Sequence, residues 1–482
     1  MSKKRHRGGA RHLQFGASDA RGLALERPAQ REPRDLVLSD LRGPPPNGFA
    51  DRGGSIVAMP SRASALPAAP VPGSSRLERV IQRVTVQLGR SGGTTARRRA
   101  TTAAVPAAEV RWIRRRPAHG VARRDRAPLR IAMLAPPWIS VPPPGYGGVE
   151  SVVSALTEAL VARGHAVTLF CAPGSRSSAR VRNLLDEAHP DEIERSLYES
   201  DHVSRAFAEI DGGVPDRGFD VVHDHCGFTA LAMADRLDIP AVHTLHGPFT
   251  TSTAAFYARH AHKATLVAIS RAQLASAPAG LERVGVIPNP IDVAAWPLRE
   301  HKGDYLLWVG RMIAEKGPHR AIAAARDAGV PVVLAGVIQP GQQAFFDREV
   351  APHIDGDRVR FVGEVTGVVK RSLFAGARAL LVPIRWEEPF GMVIVEALAC
   401  GTPVIAFPEG AARELVLNRK TGFLVDNESA MSAAVDRLPN ISARDCRAWV
   451  AEHCDVDVVA AAYERTYRSA ARRGAAVSLA GI

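Results

Sequence analysis

Short apolar runs alternate with segments of helical period along this chain, and the alternation starts afresh about halfway. The first round opens with "LRIAMLAPP", an apolar run closed by prolines and therefore a buried strand. "GGVESVVSALTEALVARGH" follows. Val149, Val152, Val153, Leu156 and Leu160 share one helical face, and Gly164 suits the position just past a helix end. "AVTLFCA", "FDVVHDH", "PAVHTLH" and "TLVAIS" continue as strand candidates separated by helix-like or loop-like sequence. "DYLLWVG" then begins a second round with "VPVVLAG", "RVRFVG", "LLVPI" and "TPVIAF" as strands, and "GPHRAIAAARDAG", "SLFAGARA" and "GMVIVEALACG" as helices. Such alternation specifies parallel sheets with crossover helices. Two α/β domains are expected, at 128–297 and 298–482. The proline-bearing "VIPNPIDVAAWPLREHKG" is the linker, and helices, ending in "DVVAAAYERTYRSAARR", close the second domain.

Residues 1–127 differ in texture. They hold 26 Lys+Arg and 9 Asp+Glu, a net of +17, which leaves 36 basic and 40 acidic residues, a net of −4, for the rest. The net charge of +13 thus belongs to a basic extension, read as disordered from its charge and its Arg, Ala, Pro and Gly content. A nucleic-acid partner is not expected, because no basic face with a recognisable motif stands out in the α/β part. Within the extension, Leu77, Val80, Ile81, Val84 and Leu88 fall at helical spacing among Arg76, Arg79, Arg83 and Arg90. A basic amphipathic helix touching an anionic membrane is one reading, and a transient helix in a solvated tail is the plainer one. Five scattered cysteines form no CxxC pair, and the basic start lacks an apolar h-region, so a cytoplasmic protein is expected.

Ligands of open α/β sheets bind beyond the carboxyl ends of the strands, and two such units in series put the default site in the cleft between them. Three motifs lie there. In "PPPGYGGVE", Gly147 and Gly148 precede a helix and let backbone approach a phosphate or sugar, although a plain tight turn fits as well. A dinucleotide fingerprint would need a third glycine where Glu150 stands, which argues against an oxidoreductase. In "WVGRMIAEKG", Arg311 and Lys316 could neutralise a diphosphate, or form a solvated surface pair. In "WEEPFGMVIVEALACG", Pro389 keeps Glu388 in the loop while Glu396 rides the helix. Each can accept from neutral hydroxyls; a capping carboxylate plus a paired core glutamate is the alternative.

Together these fragments resemble the retaining family 4 glycosyltransferases of the GT-B fold, from about Leu129 to about Tyr467. "EPFGMVIVE" matches that family's E-x7-E motif, "GRMIAEKG" its Arg/Lys donor motif, and the Gly-Gly turn, "HTLHG" and "IPNPID" fall in the family's order. One departure is Pro290, where the family more often has glycine after the asparagine.

The resemblance implies two Rossmann-like domains facing across a cleft, acceptor domain first and donor domain second. It implies a nucleotide-sugar co-substrate, UDP-glucose or another UDP-hexose, and an acceptor the sequence does not specify. Arg311 and Lys316 would bind the donor diphosphate, Glu388 the hexose and Glu396 the ribose. The amides of Phe390, Gly391, Met392 and Val393 would line the sugar and phosphates. Gly148 would approach the diphosphate from the other domain, and His246 would lie near the scissile bond. His243, on the opposite strand face, is expected to be structural. The Arg/Lys pair takes the place of a metal, so no cofactor or cation is expected. The triplets Asp355-Gly356-Asp357 and Asp455-Val456-Asp457 are expected in turns and caps. A nucleotide-sugar-binding or scaffold protein without transferase activity remains the rival. A chain beginning near Arg126 should fold and process donor sugar normally; insoluble protein, seen by gel filtration, would show instead that the extension packs on the core.

Overall fold

Two parallel sheets organise the described residues, one of seven strands and one of six. The structure is a computed structural model that describes residues 127–480, apart from 194, 213–217 and 282–283. The basic extension to residue 126, with its helical stretch around Leu77 to Leu88, lies outside the described residues.

The first sheet contains β1 (Arg130–Leu134), β2 (Ala166–Cys171), β3 (Arg180–Asn183), β4 (Val221–Asp224), β5 (Ala241–Leu245), β6 (Thr265–Ala268) and β7 (Gly285–Val286), in the order β3-β2-β1-β4-β5-β6-β7. The second contains β8 (Leu306–Val309), β9 (Val332–Ala335), β10 (Val359–Phe361), β11 (Ala379–Val382), β12 (Val404–Ala406) and β13 (Gly422–Leu424), ordered β10-β9-β8-β11-β12-β13. Strand residues alternate between two cores, as a pleat of period two requires. Ile131 and Met133 enter one cluster while Ala132 and Leu134 enter the other. Leu306 and Trp308 oppose Leu307 in the same way. Helices cover both faces, which is why these strands read as continuous apolar runs. β3, β7 and β13 leave little trace in the sequence. They are short edge strands, and an edge needs neither length nor continuous apolarity; β3 reads RVRN.

Strand order reverses between β1 and β4 in the first sheet, and between β8 and β11 in the second. At such a reversal the following loops diverge and leave a crevice. The glycine turn follows β1, Arg311 follows β8 and Glu388 follows β11.

The final helix corrects the division drawn from sequence, which placed it with the second domain. Helix α1 (Gly148–Ala162) and the last helix, α2 (Val456–Ala480), pack against each other. Val459, Ala460, Tyr463, Tyr467 and Ala470 of α2 join Ile131, Leu156, Leu160 and Val242 in one buried cluster. The chain therefore crosses between domains twice. The crossings lie side by side: Ile291 N–H donates to Cys454 O at 2.8 Å, and Val456 N–H to Ile291 O at 3.1 Å. No helix among the described residues is long and apolar enough to cross a membrane. Tyr463→Ala should destabilise the first domain by about 3–5 kcal/mol, as loss of a large core ring does, read as faster amide exchange in β4 and β5.

Candidate active site

The second domain brings two ion pairs to the cleft. Lys316 and Glu388, 72 residues apart, form a side-chain ion pair, each about one-sixth exposed. The ammonium also lies 5.1 Å from the centre of the Trp386 ring, and Trp308 Nε1 donates to the Lys316 carbonyl at 3.1 Å. The loop carrying Glu388 is fixed from behind, since its carbonyl accepts from Ala411 N–H at 2.9 Å. Arg311 Nη1 donates to Gln339 Oε1 at 3.2 Å. Helix α3 (Met392–Ala399) starts after Gly391, whose φ of 98° is a left-handed value that favours glycine and turns the chain from loop to helix.

Glu396 rides α3 and is buried. Its Oε1 accepts from Lys370 Nζ at 2.6 Å, whereas Oε2 is buried without a hydrogen-bond partner among the described residues. Buried carboxylate oxygens are normally satisfied, so Oε2 has unused accepting capacity. Glu396 also lines a cavity of about 420 Å³. The cavity wall includes Met392, Lys370 and Thr366 of the second domain, Gly145 and Ser151 of the first, and Asp292 of the linker. Of the residues singled out from sequence, Glu396 and Met392 line this cavity; Arg311, Lys316, Glu388, Gly148 and His246 do not.

On the first-domain side the glycine turn is tightly folded. A Cβ on Gly147 would fall 2.6 Å from Pro143 Cβ. Tyr146 N–H donates across the cleft to Glu364 Oε1 at 2.5 Å, so this turn already holds a carboxylate from the opposite domain. In the first turn of α1, Glu150 is 5% exposed, and burial pushes its carboxyl up to about 7. His246 lies just past β5, its Nε2 2.9 Å from His225 Nδ1. Burial, reinforced by His243, drives its pKa down to about 3, so it is neutral at pH 7. His243 is buried against Asp224, Nδ1 to Oδ2 2.5 Å. Asp355 Oδ1 accepts from the amides of Asp357 and Val359, both at 2.9 Å, and Asp455 Oδ1 from that of Asp457 at 3.1 Å, so both triplets make turn and cap hydrogen bonds.

Glu150, His225, Glu364 and Lys370 did not stand out in the sequence as site residues. A signal existed for two of them: Glu150 interrupts an apolar helix face, and His223 and His225 alternate with Asp224 at the end of an apolar strand. Glu364 and Lys370 carry none, because only tertiary packing gives them their partners, across the domains for Glu364 and on a neighbouring helix for Lys370. Glu150 makes stability depend on pH. The folded carboxyl stays protonated to about pH 7, while the unfolded one ionises near its ordinary 4.5. Between those values unfolding releases a proton, so stability falls as pH rises. The gap corresponds to about 3 kcal/mol. Glu150→Gln should therefore match wild type near pH 4.5 and exceed it in stability by up to that amount above pH 7, in urea titrations at both values.

Comparison with known proteins agrees with this arrangement. Residues 146–295 match the model of glycosyltransferase family 4, and residues 295–445 that of glycosyl transferases group 1. A glycogen synthase of Mycobacterium tuberculosis (strain CDC 1551 / Oshkosh) is 30% identical over 343 residues, 61% of this chain and 81% of that one. A D-inositol 3-phosphate glycosyltransferase of Xylanimonas cellulosilytica is 28% identical over 375 residues, 66% of this chain and 89% of the other. Among solved structures, AviGT4, a glycosyltransferase involved in avilamycin A biosynthesis, is 27% identical and superposes with a TM-score of 0.53, covering 72% of this chain and 98% of its own. Two Rossmann-like sheets meeting at their switch points, matched one to each family model, place this chain among the glycosyltransferases of the GT-B fold.

Proposed function

We propose that the protein moves a hexose, glucose first among the candidates, from a UDP-linked donor to an acceptor hydroxyl, with retention at the anomeric carbon and without a metal. The observation that carries this reading is the pair of glutamates, each held by a lysine and differing in the capacity it has left. Glu388 is tied to Lys316. A donor diphosphate would draw Lys316 and Arg311 to itself and release Glu388 to accept from the hexose hydroxyls. Glu396 keeps Oε2 unpaired and lines a cavity walled by both domains, so a small side-chain shift would offer that oxygen to a ribose hydroxyl. The amides of Phe390, Gly391, Met392 and Val393 would line the sugar and phosphates between the two carboxylates. Gly148 would approach the diphosphate from the first domain, where the turn's readiness to hold an anion is visible in the Tyr146–Glu364 contact.

In this mechanism the acceptor oxygen attacks C1 from the face the diphosphate leaves. The bond from C1 to the β-phosphate oxygen breaks, and the acceptor proton passes to a phosphate oxygen. Positioning and charge neutralisation by Arg311 and Lys316 supply most of the rate. His246, neutral near the hexose, would contribute as a hydrogen-bonding group.

Calorimetry with UDP and steady-state donor consumption test the roles. Arg311→Ala or Lys316→Ala should weaken UDP binding by about 1.5–3 kcal/mol, the range for hydrogen bonds to charged groups. Glu388→Gln should lower kcat far more than UDP affinity, because the hexose is absent from UDP, and Glu396→Gln should weaken UDP itself. The reverse pattern would exchange the two roles. Consumption of no UDP-hexose across an acceptor screen would favour a binding protein.

A further inference from the structure

Three histidines connect the carboxyl end of β5 to the final helix through consecutive hydrogen bonds. His246 Nε2 lies 2.9 Å from His225 Nδ1, and His225 Nε2 lies 3.3 Å from His223 Nδ1. Tyr467 Oη sits 2.6 Å from that same His223 Nδ1. On the other side of the ring, His223 Nε2 is 2.8 Å from Thr244 Oγ1, which in turn is 2.9 Å from Tyr463 Oη. His223, His225, Thr244 and both tyrosines are buried. Burial holds the imidazoles neutral, with the neighbouring histidines adding to it: His223 and His225 lie well below the usual range. Besides the two tyrosines, the titratable neighbour that acts on these rings among the described residues is His243, which is itself paired with Asp224.

A neutral imidazole has one N–H and one lone pair, so each contact constrains the next. A phenol is the better donor and an imidazole nitrogen the better acceptor, and 2.6 Å suits an O–H donor. Tyr467 therefore donates to His223 Nδ1, and His223 carries its proton on Nε2, toward Thr244. His225 Nε2, at the longer 3.3 Å, faces the same Nδ1; a lone pair there would be repelled, whereas an N–H makes a second, weaker contact to the acceptor that Tyr467 already uses. His225 thus holds its proton on Nε2 and presents an unprotonated Nδ1 to His246. His246 must then donate from Nε2.

We infer that Tyr467, acting through His223 and His225, fixes His246 as the Nε2–H tautomer and leaves its Nδ1 as an acceptor for a sugar or acceptor hydroxyl. The tautomer follows from the chain itself; its use on a hydroxyl rests on the transferase reading above. Tyr467, His223 and His225 are positioning residues in this scheme. His246 is then no cation for the diphosphate, which leaves that charge to Arg311 and Lys316. The last helix, which among the described residues makes no direct hydrogen bond to His246, sets the hydrogen-bonding sense of this residue past the end of β5.

The test is long-range proton–nitrogen correlation on the full chain labelled with 15N-histidine, with His246 identified by the signals lost in His246→Gln. His246 should show the Nε2–H pattern and stay neutral from about pH 5.5 to 8, as a strongly depressed pKa requires. Tyr467→Phe removes the donor that orients the chain, so His246 should become a mixture of tautomers or invert. On the same sample kcat for UDP-hexose should fall about tenfold, the worth of one hydrogen bond, with UDP affinity unchanged. A wild-type His246 that is Nδ1-protonated or cationic at pH 7 overturns the inference, as does a tautomer indifferent to Tyr467→Phe. Should that variant not fold, the wild-type spectrum still decides. If the tautomer is as inferred but no nucleotide sugar is consumed, the transferase reading fails and the tautomer assignment stands.

Discussion

The packing of the last helix on the first sheet is the contact on which the cleft depends. That helix follows the second domain in sequence, yet its apolar face is buried against α1, β4 and β5. The chain is thereby obliged to cross back beside its first crossing, where Ile291 pairs with the backbone around Asp455. Two adjacent strands of backbone restrain relative domain motion more than one linker would, and they hold the switch points of both sheets toward each other. Because the same helix carries Tyr463 and Tyr467, its docking also completes the buried polar chain behind His246. Packing and site chemistry share one element.

Charge in the cleft is arranged in pairs that a polyanionic ligand can rearrange. Lys316 on Glu388, Lys370 on Glu396, and a backbone amide on Glu364 each hold a carboxylate in place. A partly buried ion pair contributes little net stability, since desolvation offsets most of the attraction. Its effect is geometric: each pair fixes the position of a cation and a carboxylate that a polyanionic ligand could separate. Deeper in the first domain the opposite regime applies. The histidine chain is kept neutral by burial, so it acts through hydrogen bonds and not through charge, while the same burial delays ionisation of Glu150 to about pH 7.

The fold class was legible because buried parallel strands must be apolar throughout and crossover helices must be amphipathic, and both patterns survive in a single sequence. The motif residues were legible for a related reason. A glutamate before Pro389 stays in a loop, one placed eight residues on rides the helix, and Gly391 adopts the left-handed value that permits the change. These are local constraints, satisfied within a few residues of chain. The edge strands β3, β7 and β13 were not legible, because one-sided pairing relaxes the demand for apolar sequence.

Other features belong to tertiary structure alone. Nothing local distinguishes Lys370 or Glu364 from a solvated surface charge; each acquires its role from a partner on another element, and Glu364 from one in the other domain. The last helix reads as a helix from sequence, but which sheet receives its apolar face is settled by shape and by the second crossing at Asp455. His223, His225, Tyr463 and Tyr467 are visible as letters, yet their order in one hydrogen-bonded chain joins residues up to 244 positions apart. The sequence by itself determined the two sheets and the loop-to-helix turn between Glu388 and Glu396, since backbone pairing and helix period act over short range. The cavity between the domains and the chain behind His246 were decided by tertiary packing, because burial and hydrogen bonding between distant residues exist only once the chain has folded.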